Sequence, residues 1–137
     1  GGIRPDIYIS NEIKFSDKTQ NVLTHPSRLL FKYANEIKKD FNKSYKSFYK
    51  FNKSIKKNRG STVDKEDFVS WLNMQDSTLN VENNDLNENW LYLENRILAD
   101  VASALWGKNY YYKILLNEDK QFLISLDHIN QAKELVY

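Results

Sequence analysis

The side chains best suited to acid–base or metal chemistry near neutral pH are two histidines, His25 and His128. They stand far apart in the sequence, and neither belongs to a local ligand pattern with the spacing of a zinc site. A general-base histidine also needs a partner that orients it, and the sequence identifies none. The chain has no cysteine, which excludes thiolate chemistry and disulfides. We therefore assign no catalytic or metal-binding role to either histidine and predict no cofactor.

Residues 85–89, Asp-Leu-Asn-Glu-Asn, begin like a calcium-binding loop. Such a loop needs glycine at its sixth position and glutamate at its twelfth, where this chain has Trp90 and Arg96. A helix start explains these residues better, because Asp85 and Glu88 can satisfy the free amides of a first turn. The sequence therefore predicts no metal site here. No serine stands in the glycine-framed turn of a nucleophile elbow, so we predict no catalytic residue in this chain.

Residues 28–59 carry most of the positive charge. Eleven Lys/Arg and two acidic residues give this region +9, whereas the remaining nine Lys/Arg and sixteen acidic residues give −7. Lysines interleaved with Tyr and Phe can bind phosphates and stack on bases. Tyr33, Ile37, Phe41 and Tyr45 nevertheless follow helical spacing, which favours an apolar face on the core with lysines in solvent. The alternative is a free-standing helical binding module that uses residues 28–59 on nucleic acid or an acidic protein partner.

The chain of 137 residues, 41% hydrophobic and 14% aromatic, is long enough to bury a small core. No run is long and apolar enough for a transmembrane helix, and the N-terminus lacks the layout of a signal peptide. Because the chain begins with Gly1 rather than methionine, we expect a fragment whose targeting signal lies upstream.

The elements are organised around residues 84–116. Apolar residues recur there in steps of three and four, which predicts one helix from Asp85 to Trp106 with a buried stripe. The stripe is Trp90, Leu93, Ile97, Val101 and Leu105, widened by Leu98 and Ala102, with Asn95, Asp100 and Ser103 on the other face. Gly107 stands where a left-handed C-terminal cap is expected. A dense aromatic and aliphatic segment follows at residues 110–116.

Start and stop signals predict further helices on either side. Residues 10–21 are polar and predicted to be a loop, after which Thr24 and Pro26 start a helix that breaks near residues 42–44 and stops at residues 58–61. Asp64 is predicted to cap the next helix. The packing residues of that helix are Phe68, Val69, Trp71 and Leu72. Residues 73–84 read as a polar connection, and a last helical region follows Asp119.

The N-terminal segment is Gly1-Gly2-Ile3-Arg4-Pro5-Asp6, followed by a short predicted strand at residues 7–9. A lone strand needs a partner, and no second convincing strand is present, so we expect its sheet upstream. Two motifs stand out: Gly-Gly-x-x-Pro-Asp at residues 1–6, and the run 96–107, which ends in Leu-Trp-Gly and is followed by Tyr-Tyr at residues 111–112. Together they resemble the C-terminal part of the carboxyl-terminal processing (tail-specific) serine peptidases. Departures from that pattern occur at Leu98, Ser103 and Lys120.

The resemblance implies a mainly α fold: residues 1–24 as the end of a protease domain, with the short strand, and residues 25–137 as an all-α C-terminal domain. In this family a Ser–Lys dyad lies upstream of the Gly-Gly-x-x-Pro-Asp motif, so no catalytic residue is carried onto this chain. The parent enzyme would process polypeptides in the periplasm or cell envelope of a bacterium. The expected partners are its own protease domain, polypeptide substrates, and further subunits or adaptors; no specific nucleic acid is expected.

Overall fold

The computed structural model of the protein describes residues 14–117. Six α-helices occur in this range: α1 (Asp17–Leu23), α2 (Leu29–Ser44), α3 (Phe48–Lys57), α4 (Lys65–Gln75), α5 (Trp90–Trp106) and α6 (Lys108–Leu115). Two 3₁₀ helices, Ser77–Leu79 and Asn83–Asn89, connect α4 to α5. The described residues contain no strand, and the predicted mainly α class is confirmed. The predicted strand at residues 7–9, the glycine-rich motif before it, and the helical region after Asp119 lie outside these residues.

Helix α5 is the centre of this arrangement, because it packs most extensively on α6 and α2. The predicted stripe is buried at Trp90, Leu93, Ile97 and Val101. Leu105 is only partly buried, since the last turn of α5 lies at the edge of the core. Asn95 was predicted on the polar face and is instead buried, because neighbouring helices cover more than one side of α5.

Aromatic rings join the other helices to this core. Tyr33 of α2 packs against Phe68 and Trp71 of α4, with ring centroids 4.8 and 5.1 Å apart. Trp106, at the end of α5, lies 5.1 Å from Phe51 of α3. Trp106 is partly rather than fully buried. These ring contacts tie α2 to α4 and α3 to the end of α5 through the large apolar surfaces that dominate core energetics.

A buried carboxylate joins α5 to the loop before α4. Glu94 is 2% exposed and accepts hydrogen bonds from the amides of Gly60, Thr62 and Val63 at 2.7, 2.9 and 3.0 Å. The indole Nε1 of Trp90 donates to the Gly60 carbonyl at 2.9 Å. Gly60 has φ +88°, a conformation that glycine adopts without cost. The stop predicted at residues 58–61 is therefore a loop held by the central helix.

The predicted loop at residues 10–21 is wrong at residues 17–21, because α1 occupies Asp17–Leu23, whereas residues 14–16 lie outside any helix. Ser16 caps this helix, with its Oγ accepting from the Thr19 amide at 3.2 Å. Val22 and Thr19 are buried on one side, and the remaining polar residues gave the segment its loop-like composition. Helix α1 belongs to the compact unit Phe15–Asn117. The domain division between residues 24 and 25 stays a prediction.

The start predicted for the central helix is also wrong by five residues. The Asp85 carboxylate accepts from the Glu82 amide at 2.7 Å, as part of a capping box with Glu82, and does not cap α5 together with Glu88. This contact belongs to the 3₁₀ helix Asn83–Asn89, which is anchored by buried Leu86, and the α-helix begins only at Trp90. Gly107 ends α5 with φ 118° and ψ 163°, a region essentially reserved for glycine but not the predicted left-handed helical one. No helix within residues 14–117 combines the length and apolarity required to cross a membrane.

Candidate binding groove

A groove of about 580 Å³ lies between the α1–α2 region and helices α5 and α6. Val22, Leu23, Leu29 and Leu30 supply its aliphatic part. Its polar part contains Arg28, Arg96, Lys108, Asp100, Ser103 and three tyrosines, Tyr92, Tyr111 and Tyr112. Mixed linings of this kind, apolar walls with a few convergent polar groups, are typical of ligand sites.

The α5 wall of the groove is a stripe with helical spacing. Tyr92, Arg96, Asp100 and Ser103 follow one another in steps of four, four and three residues, which places them on one face. This face lies beside the apolar stripe that packs into the core. Helix α6, which turns back at Gly107, brings Lys108, Tyr111 and Tyr112 to the same groove.

Arg96 is the central cation of this wall. Its Nη1 donates to the Tyr92 hydroxyl at 3.1 Å, and its Nε is buried without a hydrogen-bond partner among the described residues. Burial works against its charge, but the Tyr92 hydroxyl, Tyr111 and Asp100 outweigh burial and raise the pKa of Arg96. A guanidinium has five N–H donors, so Arg96 retains donors for a further acceptor.

Asp100 supplies the negative charge of the groove. Burial raises the pKa of this carboxyl, and the nearby cations Arg96 and Arg28 oppose that rise only in part. Burial likewise raises the pKa of the Tyr111 hydroxyl, which lies near the charged side chains of Arg96 and Asp100. Asp100 forms no ion pair with Arg96 or Arg28. Among residues 14–117, the ion pair within 4 Å is that of His25 with Asp76. The groove thus holds separated charges of both signs.

Arg28 lies at the N-terminal end of α2 in an unusual conformation. Its φ of 53° and ψ of 60° are left-handed, a conformation that costs most residues free energy because the Cβ crowds the backbone; glycine lacks the Cβ, and asparagine can offset the cost with a local hydrogen bond. Its side chain makes no capping hydrogen bond and extends over the Phe31 ring, 4.4 Å from the centroid. The ring therefore covers one face of the Arg28 guanidinium, and the N–H groups at its edge can still donate hydrogen bonds to a ligand.

His25, the histidine of the described part, lies at the rim of this groove. Its Nδ1 accepts from the Ser27 amide at 3.1 Å, and its Nε2 lies 2.9 Å from the Asp76 carboxylate. Both ring nitrogens are thus engaged in holding the turn between α1 and α2 against the segment after α4. This geometry assigns His25 a structural role, while His128 lies outside the described residues.

The other candidate sites from the sequence, the calcium-loop-like residues 85–89 and most of the basic region 28–59, lie outside this groove. Asp85 and Asn89 form helix-end contacts, and no cluster of three potential metal ligands occurs in the described range. Most lysines of residues 28–59 are exposed, while Tyr33, Phe51 and Ile55 face the core. Two aromatic residues of this region are exceptions, since Tyr49 is 73% exposed and Phe31 is 40% exposed.

The groove was not predicted from the sequence. Asp100 and Ser103 were assigned to the polar face of the central helix, and Arg96 and Arg28 received no role. A usable signal was present, because Tyr92, Arg96 and Asp100 repeat every four residues beside the apolar stripe. What the sequence lacked was the placement of Arg28, which depends on how α1 and α2 pack against α5.

Comparisons with protein-family models, with curated proteins and with solved structures find no match to this chain.

Proposed function

We propose that this chain is the C-terminal structural and interaction portion of a carboxyl-terminal processing serine peptidase. The observation that carries the proposal is the order of its motifs: Gly-Gly-x-x-Pro-Asp first, then Leu-Trp-Gly, then Tyr-Tyr. Each motif is short, and only their order and separation together make the resemblance specific. On this proposal the catalytic serine and lysine lie upstream of Gly1, and this region contributes packing and binding surfaces.

The fold supports this proposal in a limited way. The two C-terminal motifs form consecutive helices, α5 and α6, joined at Gly107 in a conformation that requires glycine. Trp106 packs its ring against Phe48 and Phe51, so the motif tryptophan joins α3 to the end of α5. The motif tryptophan therefore has a packing role, as expected of a region whose task is structural.

The basic region carries no second proposal. Its aromatic stripe is directed largely into the core, which leaves lysines as a solvated face with few rings available for base stacking. An exposed positive face attracts polyanions in general without reading a sequence.

The proposal is tested by reading the gene upstream of the codon for Gly1. We expect it to encode a serine in a glycine-rich turn, followed by a lysine, both before the Gly-Gly-x-x-Pro-Asp motif. Chemical labelling of the full protein should then modify that serine, and substitution of that lysine should abolish peptide hydrolysis because the lysine takes the serine proton. An upstream region that encodes neither residue would contradict the proposal.

A further inference from the structure

The groove between α1–α2 and α5–α6 contains hydrogen-bond donors that the described residues leave unused. Arg96 donates through Nη1 to Tyr92 and also interacts with the Tyr111 hydroxyl, but its Nε is buried without a partner among the described residues. A buried donor without an acceptor costs free energy, and such groups in native structures call for an explanation. A ligand carboxylate is the acceptor that a guanidinium pairs with best, because the two planar groups match in geometry.

Two further cations surround the same space. Arg28 is held by its contact with the Phe31 ring, and Lys108 stands at the first position of α6. With Asp100 as the opposing charge, the groove has a formal excess of positive charge. Arg28 also keeps a left-handed backbone that an asparagine or glycine would adopt more readily. An arginine at such a position suggests that its side chain is needed there.

The groove also has features that a simple anion site lacks. Asp100 and the hydroxyl of Ser103 can accept hydrogen bonds from N–H groups, and the partly buried side chain of Leu23 offers apolar contact. Rings at the rim, Phe31 and Tyr112, are 40% and 57% exposed. A peptide presents carboxylates, backbone N–H groups and apolar side chains together, and so matches all three parts of the lining.

We propose that this groove binds an acidic peptide segment of a partner protein, with a glutamate or aspartate carboxylate on Arg96 and Arg28 and a neighbouring apolar side chain against Leu23 and Phe31. Asp100 disfavours a nucleic acid in the same place, because a phosphate backbone would bring successive negative charges against its carboxylate. The inference concerns the groove alone and holds whether or not the parent protein is a peptidase.

The test uses the 137-residue chain and a fluorescently labelled peptide, Gly-Ser-Glu-Leu-Glu-Ser-Gly, blocked at both ends. Fluorescence anisotropy at physiological salt should show saturable binding, and the same peptide with Gln in place of both Glu residues should bind roughly tenfold or more weakly. Arg96→Gln should weaken binding of the acidic peptide by at least roughly tenfold, since a charged hydrogen-bonded contact is lost. Asp100→Asn should tighten it, because a competing negative charge is removed.

The matched control is Lys50→Gln, which removes the same charge from an exposed position of α3 outside the groove and should change affinity less than about twofold. If Arg96→Gln does not fold, Lys108→Gln at the exposed rim is the second groove variant. It should weaken binding severalfold. Each variant's fold is checked by thermal unfolding. Absence of saturable binding, equal losses from groove and control variants, or preference for a single-stranded oligonucleotide over the acidic peptide would overturn the proposal.

Discussion

Glu94 shows how one side chain can fix the geometry of a loop. It is almost wholly buried, yet its two carboxylate oxygens receive three backbone amides, from Gly60, Thr62 and Val63. A carboxylate enclosed by N–H donors keeps its charge satisfied where water is excluded. The contacts hold the chain between α3 and α4 against the middle of α5.

Glu94→Gln should destabilise the fold by about 3 kcal/mol, because the charge is lost and a side-chain N–H group is turned towards a backbone donor. Urea unfolding followed by circular dichroism measures the change in the free energy of unfolding. Glu36→Gln, at an exposed position of α2, is the matched control and should change stability by less than about 0.5 kcal/mol. Equal stability of the two variants would show that the Glu94 contacts contribute nothing specific.

Asp76 should give the protein a defined dependence on acid. Hydrogen bonds from the Thr78 hydroxyl, His25 and the Thr78 amide lower the pKa of Asp76 from 3.8 to about 2. The folded state then binds this proton less tightly than the unfolded state, so the stability that Asp76 contributes is present above pH 3.8 and lost as the pH falls towards 2.

The variants Asp76→Asn and Thr78→Val test this dependence. Thermal unfolding measured from pH 3.8 down to about pH 2 should show a smaller loss of stability for Asp76→Asn than for the natural chain. Thr78→Val, which keeps the carboxylate and removes its first hydrogen-bond donor, should lie between the two. Identical acid profiles for all three proteins would contradict the assignment.

Individual side chains were the least predictable part of this molecule. The burial of Glu94 depends on a loop that meets α5 only in the folded chain, and an isolated glutamate in a helix normally reads as exposed. Arg28 and Arg96 likewise become one site only through the packing of α2 on α5. Asp64, by contrast, was predicted correctly as a helix cap, because its partner is the Asp67 amide three residues away.

At the scale of elements, the junction of α5 and α6 shapes the groove. Gly107 ends one helix and begins the next, and its backbone conformation is one that other residues strongly avoid. A Cβ added at Gly107 would meet no atom within 4 Å, so any cost of substitution is conformational rather than steric. The position of Lys108 and Tyr111 in the groove depends on this turn.

Gly107→Ala should therefore destabilise the protein by about 1–3 kcal/mol, the usual cost of a strained backbone conformation. It should also lower the affinity of the groove for the acidic peptide, because α6 can no longer start in the same direction. Chemical unfolding together with the peptide-binding measurement provides both values. Ser61→Ala, at an exposed position away from this junction, serves as the control. Unchanged stability in Gly107→Ala would mean that the turn can relax without cost.

The helices with a strong apolar stripe or a clear local cap were predictable from the sequence, whereas α1 and the start of α5 were not. The apolar stripe of α5 and the break between α2 and α3 followed directly from spacing and turn residues. Helix α1 was missed because it buries few side chains, Val22 and Thr19 among them. The first turn predicted at Asp85 lies within a 3₁₀ helix that starts earlier, where Asp85 accepts from the Glu82 amide in a capping box.

At the scale of the whole molecule, charge is distributed unevenly along the chain. Residues 28–59 carry +9 against −7 for the remainder. We expect weak binding of nucleic acids, with dissociation constants no tighter than roughly 10⁻⁶ M, falling steeply with added salt and indifferent to sequence. Titration of oligonucleotides of different sequence at two salt concentrations measures this. Submicromolar affinity for one sequence, lost in a Lys46→Gln and Lys50→Gln double variant, would instead support a dedicated nucleic-acid module.

The central proposal is that this chain supports a serine peptidase whose catalytic residues lie elsewhere in the parent protein. Its most direct test is one hydrolysis assay, on one unfolded polypeptide substrate, of three proteins: the isolated chain, the parent protein without it, and the intact parent. We predict no hydrolysis by the isolated chain, full activity in the intact parent, and reduced activity or thermal stability in the truncated one, because exposed apolar surface needs cover. Hydrolysis by the isolated chain, abolished by substituting one of its own serines, would contradict the account.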